Sequence, residues 1–442
     1  MVFIVLSLLI LLYGIYNYKK GFMLYIISTI FSYPVSVFKI AGFSVSTTII
    51  MALFFFSLYI FRNIHNKRKD ISTEGFPFKL PLILLFVSLL ITPFFAYAGF
   101  SVEFARSLTI VCRSYLLIWI MWDIIEDDND FSFAFKAIIV VMVISCLYGI
   151  YEYTLSFNPL LNFKHSISDE GFDLYSLQTL RGYRLTSVFE HPIGAGMTMG
   201  LYSIFIFVEF VRYKEVIPFN KLAIFTAILC IPCVLLTKMR ASVVFTIIAS
   251  LCLISPAFYK KKRFYAILLI FLIVIPFIYL MARNNPILSN VVLSIFNSDY
   301  QTAAGGSNSV MRFSQLKAVY ELFKLSPIGG LGETFKSVYS SVYTQEVLGL
   351  ESIWFEQMAM HGAVGVIANI VLMYFTVIKI PMKYRSVPAF TFGLAYWVTY
   401  TLTSTPSFRI IIFFLIEFYF IKKSEVYRKS LKGNENSWKT AW

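Results

Sequence analysis

"RGYRLTSVFEHPIGAGMTMGLYSIFIFVEFV" occupies residues 181–211. Arg181, Arg184, Glu190 and His191 stand at its mouth, and the chain then turns largely apolar. Pro192 suits the first turn of a helix, where its missing N–H costs nothing. A run of this kind is long enough to cross a bilayer, which takes about 20 mostly apolar residues. The chain of 442 residues is 58% hydrophobic and only 14% charged, with mean hydropathy +0.73. A soluble protein of this length could not hide so much apolar surface. Apolar runs predict helices over 2–17, 21–38, 43–61, 80–98, 104–124, 134–152, 188–211, 221–237, 240–257, 264–282, 353–378, 388–404 and 408–421. The reading is an all-α polytopic integral membrane protein. It has about 12–13 transmembrane helices, the lower figure applying if the short second one, holding Pro34, is re-entrant. No internal repeat is visible, which leaves an inverted-repeat transporter little support.

The formal net charge is +14. In a soluble chain that would point to nucleic acid. Here the basic clusters Lys19-Lys20, Lys67-Arg68-Lys69, Lys260–Arg263, Lys379–Arg385 and Lys422 onward lie in short connections. The positive-inside rule and lipid headgroups explain them, with no nucleic-acid partner. The first apolar run lacks a basic start and a small-residue cleavage site, so it reads as a helix with its N-terminus outside. Connections near 62–79, 212–220, 258–263, 379–387 and 422–442 then fall inside, together with "EDDND" at 126–130. The whole chain, 1–442, is one integral membrane domain. Two long segments lie outside it, at 153–187 and 283–352. The larger one balances five basic residues with five acidic ones.

That larger segment is partly helical. "NSVMRFSQLKAVYELFKL" (308–325) is amphipathic, with Asn308 or Ser309 as its cap and Phe313, Leu316, Tyr320 and Phe323 on one face. "SPIGGLG" ends it with Pro327 and three glycines. Such a helix lies on the outer membrane surface, with Arg312 in its first turn. All five cysteines, Cys112, Cys146, Cys230, Cys233 and Cys252, fall in apolar runs. "CIPC" has redox spacing, but inside a membrane helix its cysteines read as small packing residues.

Several arginines escape the positive-inside rule: Arg181, Arg184, Arg240 and Arg312 on the outer side, and Arg106 and Arg113 in the fifth helix. Seven residues apart, the last two face one way, about 10 Å apart along the axis. Arg113 falls well inside the bilayer, at a cost of a few kcal/mol on insertion scales. A lipid-linked diphosphate would need such a set, because guanidinium supplies bidentate donors that never deprotonate. The plainer reading is that each arginine pairs with a local carboxylate or reaches headgroups. Glu103, Glu152, Glu190, Glu351 and Glu356 also approach that face. A general base for a sugar hydroxyl could be among them or His191, although each alone is more often a structural hydrogen-bonding group. His65, His165, His191 and His361 are scattered without metal-ligand spacing. No P-loop, ATPase element or GxSxG is present, so neither metal nor cofactor is expected.

Three stretches together resemble the O-antigen ligase/polymerase superfamily of bacterial membrane proteins: "RLTSVFEHPIGAG", "LTKMRAS", and "RFSQLKAVYELFKLSPIGGLG" followed by "ESIWFEQMAMHGAVG". Their order matches over roughly residues 80–420. "LTKMRAS" is similar to the family's Thr-Ser-Arg-Gly turn, from which Lys238-Met239 and Ala241 depart. The resemblance implies a GT-C-like glycosyltransferase in the bacterial inner membrane. Its active site would face the periplasm, and its substrates would be undecaprenyl-diphosphate-linked oligosaccharides. The two outer segments become periplasmic loops. Arg184, Arg240 and Arg312 would bind the diphosphate, with Arg113 and Arg181 as further candidates. Catalytic candidates are Glu351, Glu190 and His191. The ligase branch carries a His-Asn pair where this chain has Glu351-Ser352. That departure points to a Wzy-type polymerase of O-antigen, capsule or exopolysaccharide. An Arg-x10-Gly pattern of some polymerases is not met, since Gly194 and Gly196 flank the register from Arg184. The alternatives are an O-antigen ligase acting on lipid A–core and, from another class, a lipid-linked glycan flippase. A chain-length regulator and a flippase of the same pathway are the protein partners the family implies, alongside membrane lipids.

Overall fold

A computed structural model describes residues 2–29, 36–40, 43–65, 75–166, 182–189, 191–212, 220–239, 242, 289, 309–339, 341–343, 350–402 and 410–424. Apart from Ser242, the expected helices 240–257 and 264–282 lie outside the described residues. So do Arg181, Glu190 and Arg240.

The protein is an all-α membrane protein. Its helices are α1 (Val2–Tyr16), α2 (Tyr18–Ser28), α3 (Thr47–His65), α4 (Lys79–Ile91), α5 (Phe100–Ile124), α6 (Asp128–Leu155), the short α7 (Pro159–Ser166), α8 (Pro192–Arg212) and α9 (Asn220–Leu236). After the undescribed stretch come α10 (Ser309–Leu325), α11 (Phe335–Tyr339), α12 (Ile353–Tyr384), α13 (Val387–Leu402) and α14 (Ile410–Lys422). Among the described residues α5, α6 and α12 are long and apolar enough to cross a membrane. α6 shows why the local sequence folds this way. Asp127 caps it by accepting from Asp130 N at 2.8 Å, and the Asp130 carboxylate reaches back to the Glu126 and Asp127 amides. The acidic run thus sits at the positive end of the helix dipole.

Residues Ile410–Ile421 of α14 are buried on every side, which makes α14 the axis of the bundle. Tyr419 meets Phe131, Phe135 and Phe205 edge-on, at 5.0, 5.0 and 5.5 Å between ring centres. The outlying helices do the reverse. Val140, Ile144, Leu147 and Tyr151 on α6 are exposed at helical spacing, as are Ile83, Val87 and Leu90 on α4. Apolar stripes of this kind face lipid rather than water.

At one end of the bundle Lys19 pairs with Glu126 at 2.8 Å, Lys423 pairs with Asp128 at 2.7 Å, and Lys422 donates to Trp122 O at 2.7 Å. Lys19, Lys422 and Lys423 therefore share an end of the bundle with "EDDND", as expected of these two basic clusters; Lys67-Arg68-Lys69 and Lys260–Arg263 lie outside the described residues. Two helix expectations need correction. The one over 43–61 begins only at Thr47, because a strand takes its first four residues. The second helix does not run over 21–38, because α2 stops at Ser28. Strands β1 (Ser36–Ile40) and β2 (Phe43–Ser46) follow as an antiparallel hairpin.

α12 has 32 residues, about 48 Å of helix against about 30 Å of hydrocarbon. It breaks at Gly362, whose φ is 60° and ψ −152°. The "PIGGLG" loop threads that break. Leu331 N and Gly332 N donate to Ala359 O and Met360 O at 2.8 and 3.0 Å. Ala363 N and Val364 N donate to Pro327 O and Ile328 O at 2.8 and 3.3 Å. Backbone groups orphaned by the break thus find partners, as buried groups must. On the N-terminal side of the break, Val319, Leu322, Leu331, Phe335, Leu350, Ala359 and Met360 form a second core, separate from that of the bundle. α10 contributes Val319 and Leu322 to it, while Phe313, Leu316 and Tyr320 stay exposed.

Candidate functional site

Glu152, in the last turn of α6, is fully buried. Its carboxylate accepts from Tyr183 Oη (2.9 Å), Thr186 N and Oγ1 (2.8 Å each) and Ser187 N (2.5 Å). Four donors on one carboxylate pin the 183–187 loop to the helix end. Leu185 N then donates to Leu236 O at 3.1 Å, which joins the loop to the last turn of α9. Arg184 is held inside this frame, 6% exposed, with Nη1 3.6 Å from Met239 Sδ. Lys238 enters from the turn after α9. Burial and the charge of Arg184 push its ammonium below the ordinary lysine value.

His191 opens α8. Its Nδ1 accepts from Ile193 N at 3.1 Å. The proton of a neutral ring then sits on Nε2, so this geometry makes His191 a donor and gives no support to it as a base.

Elsewhere in the fold, α10 brings Arg312 to the start of α12. Arg312 Nη2 donates to Leu402 O at 2.9 Å and lies 3.4 Å from Glu351 Oε2. The carbonyl belongs to the last residue of α13, where a cation suits the helix dipole. The two side chains remain 35% and 37% exposed, so both keep surface for a ligand.

The single face expected of Arg106 and Arg113 needs a regular helical register, which α5 does not keep throughout. The turn Val111–Tyr115 is π-helical, which breaks the 3.6-residue register on which a shared face depended. Arg106 acts electrostatically on Glu333, and Arg113 on Tyr25. Glu103, on the same helix as both arginines, instead accepts from Glu333 N and Thr334 N at 3.0 and 3.1 Å.

A further cluster escapes sequence reasoning. His361 Nδ1 lies 2.9 Å from Thr92 Oγ1, and Nε2 lies 3.6 Å from Glu333 Oε1. Thr92 gives its own proton to Ser88 O, 3.0 Å away, so His361 donates to it through Nδ1. Burial pushes the Glu333 carboxyl up. The His361 contact and the charges of His361, Lys336 and Arg106 outweigh that and hold it below the usual carboxylate range. No local motif announces this cluster, because Thr92 and His361 are 269 residues apart.

Residues 225–370 match the family model described as O-antigen ligase. The match is consistent with the superfamily that the three motifs resemble. It takes in Arg240, Arg312 and Glu351 and begins beyond Arg184 and Glu152. No curated protein sequence matches the chain.

Proposed function

We propose that this protein is a polysaccharide polymerase of the O-antigen type, working at the outer face of the bacterial inner membrane. One undecaprenyl-diphosphate-linked oligosaccharide is the donor. A hydroxyl at the non-reducing end of a second lipid-linked repeat attacks its anomeric carbon. The new glycosidic bond forms as the bond to the diphosphate breaks, and undecaprenyl diphosphate leaves. The proton of the hydroxyl passes to a base, for which Glu351 is the candidate. The observation that carries this reading is the meeting of Arg312 and Glu351 at the start of α12. A guanidinium there can stabilise charge developing on the leaving diphosphate, and the carboxylate beside it can orient or deprotonate the acceptor. Arg184 and Arg240 belong to the same diphosphate site, with Arg113 and Arg181 as outlying candidates and Glu190 as an alternative base.

The description of the matched family favours a second reading, a ligase that moves glycan onto lipid A–core. Glu351-Ser352 in place of His-Asn favours the polymerase. Acceptor choice separates them. A polymerase extends lipid-linked repeats supplied alone, whereas a ligase gives product only after lipid A–core is added.

A further inference from the structure

Lys238 lies two residues past the end of α9 and is 3% exposed. Its backbone is left-handed, with φ 54°. A residue with a side chain is strained in that conformation, which persists where the surroundings over-determine it, often at ligand clamps. Ser187, in the facing loop, is left-handed too, with φ 56°. The ammonium sits 5.6 Å from the centre of the Tyr153 ring. Arg184, from the facing loop, reaches the same turn, with its Nη1 3.6 Å from the sulfur of Met239, the residue after Lys238. Two separate loops thus deliver two buried cations to one place. Glu152 fixes one of those loops through bonds to its backbone and hydroxyls.

We propose that Lys238 is a ligand of the donor's diphosphate, gripping it from the α9 turn while Arg184 grips it from the 183–187 loop. This rests on the reading of the outer cations as a lipid-diphosphate site. Guanidinium offers two parallel donors, and ammonium offers a compact charge with three. Two cations that repel each other both gain when a diphosphate lies between them. Held in place beforehand, they need no rearrangement as the leaving group takes up charge.

The test uses the full chain in lipid nanodiscs, with undecaprenyl diphosphate and inorganic pyrophosphate as probes. Lys238→Gln should weaken both by about tenfold or more, the loss expected for a charged hydrogen bond. Lys238→Gly should weaken them equally while its unfolding temperature holds or rises, because glycine relieves the left-handed strain. If both variants bind like wild type while Arg184→Gln loses affinity, the proposal fails and the diphosphate reading stands. If wild type binds neither probe, both fail. A clear drop in unfolding temperature for Lys238→Gly would make the lysine a structural prop and overturn the proposal.

Discussion

Arg312 Nη2 stands 3.4 Å from Glu351 Oε2, bridging 39 residues of chain between α10 and the start of α12. If the pair works as one unit on leaving group and acceptor, Glu351→Gln lowers turnover by about a hundredfold or more. The double variant with Arg312→Gln then costs far less than the product of the two single losses. Initial rates of product formation at equal membrane abundance give the numbers.

Glu152 makes a different kind of prediction. Glu152→Ala strands the amides of Thr186 and Ser187 and two hydroxyls in a buried place. A destabilisation of about 3 kcal/mol or more follows, since each buried unsatisfied group costs about 1–3 kcal/mol. Thermal unfolding in detergent measures it. Because the same loop carries Arg184, affinity for undecaprenyl diphosphate should fall in parallel.

Gly362 holds the break in α12. A Cβ there would lie 2.5 Å from Ile328 O, on a backbone with φ 60°. Gly362→Ala should therefore cost several kcal/mol, about 3 or more, from strain and collision together. Limited proteolysis should show the α10–α11 segment cut faster than in wild type while the bundle stays intact.

Acid should loosen the same segment through Glu333. Its folded pKa is held below the ordinary value, so the unfolded chain binds the proton more readily. The stability this contributes is present above the usual carboxylate range and is lost as pH falls through the depressed value. Glu333→Gln should be less stable than wild type near neutral pH, and the gap should close in acid. A pH series of unfolding temperatures checks the sign.

Much of the fold is legible in the sequence because lipid and charge rules act locally. An apolar run such as 134–152 marks α6, and Lys19 with Lys422 marks one end of the bundle. The end of α2 is not legible, because an apolar run through residue 38 does not distinguish a helix from a hairpin. The break at Gly362 is hidden because its cause, the 327–332 loop, arrives from another part of the chain. Arg184 and Arg312 stand out in the sequence as exceptions to the positive-inside rule. Lys238 shows there only as a departure from a motif, since its burial beside Arg184 depends on two loops meeting. The π turn in α5 also leaves no mark in composition, although it interrupts the helical register between Arg106 and Arg113.

Polymerisation itself is tested most directly by the size distribution of products from purified protein given only lipid-linked repeat units. A ladder spaced by one repeat is expected, absent in Arg312→Gln and in Arg240→Ala at normal membrane abundance. No ladder from repeats alone, with transfer seen once lipid A–core is supplied, would overturn the polymerase reading and make the protein a ligase.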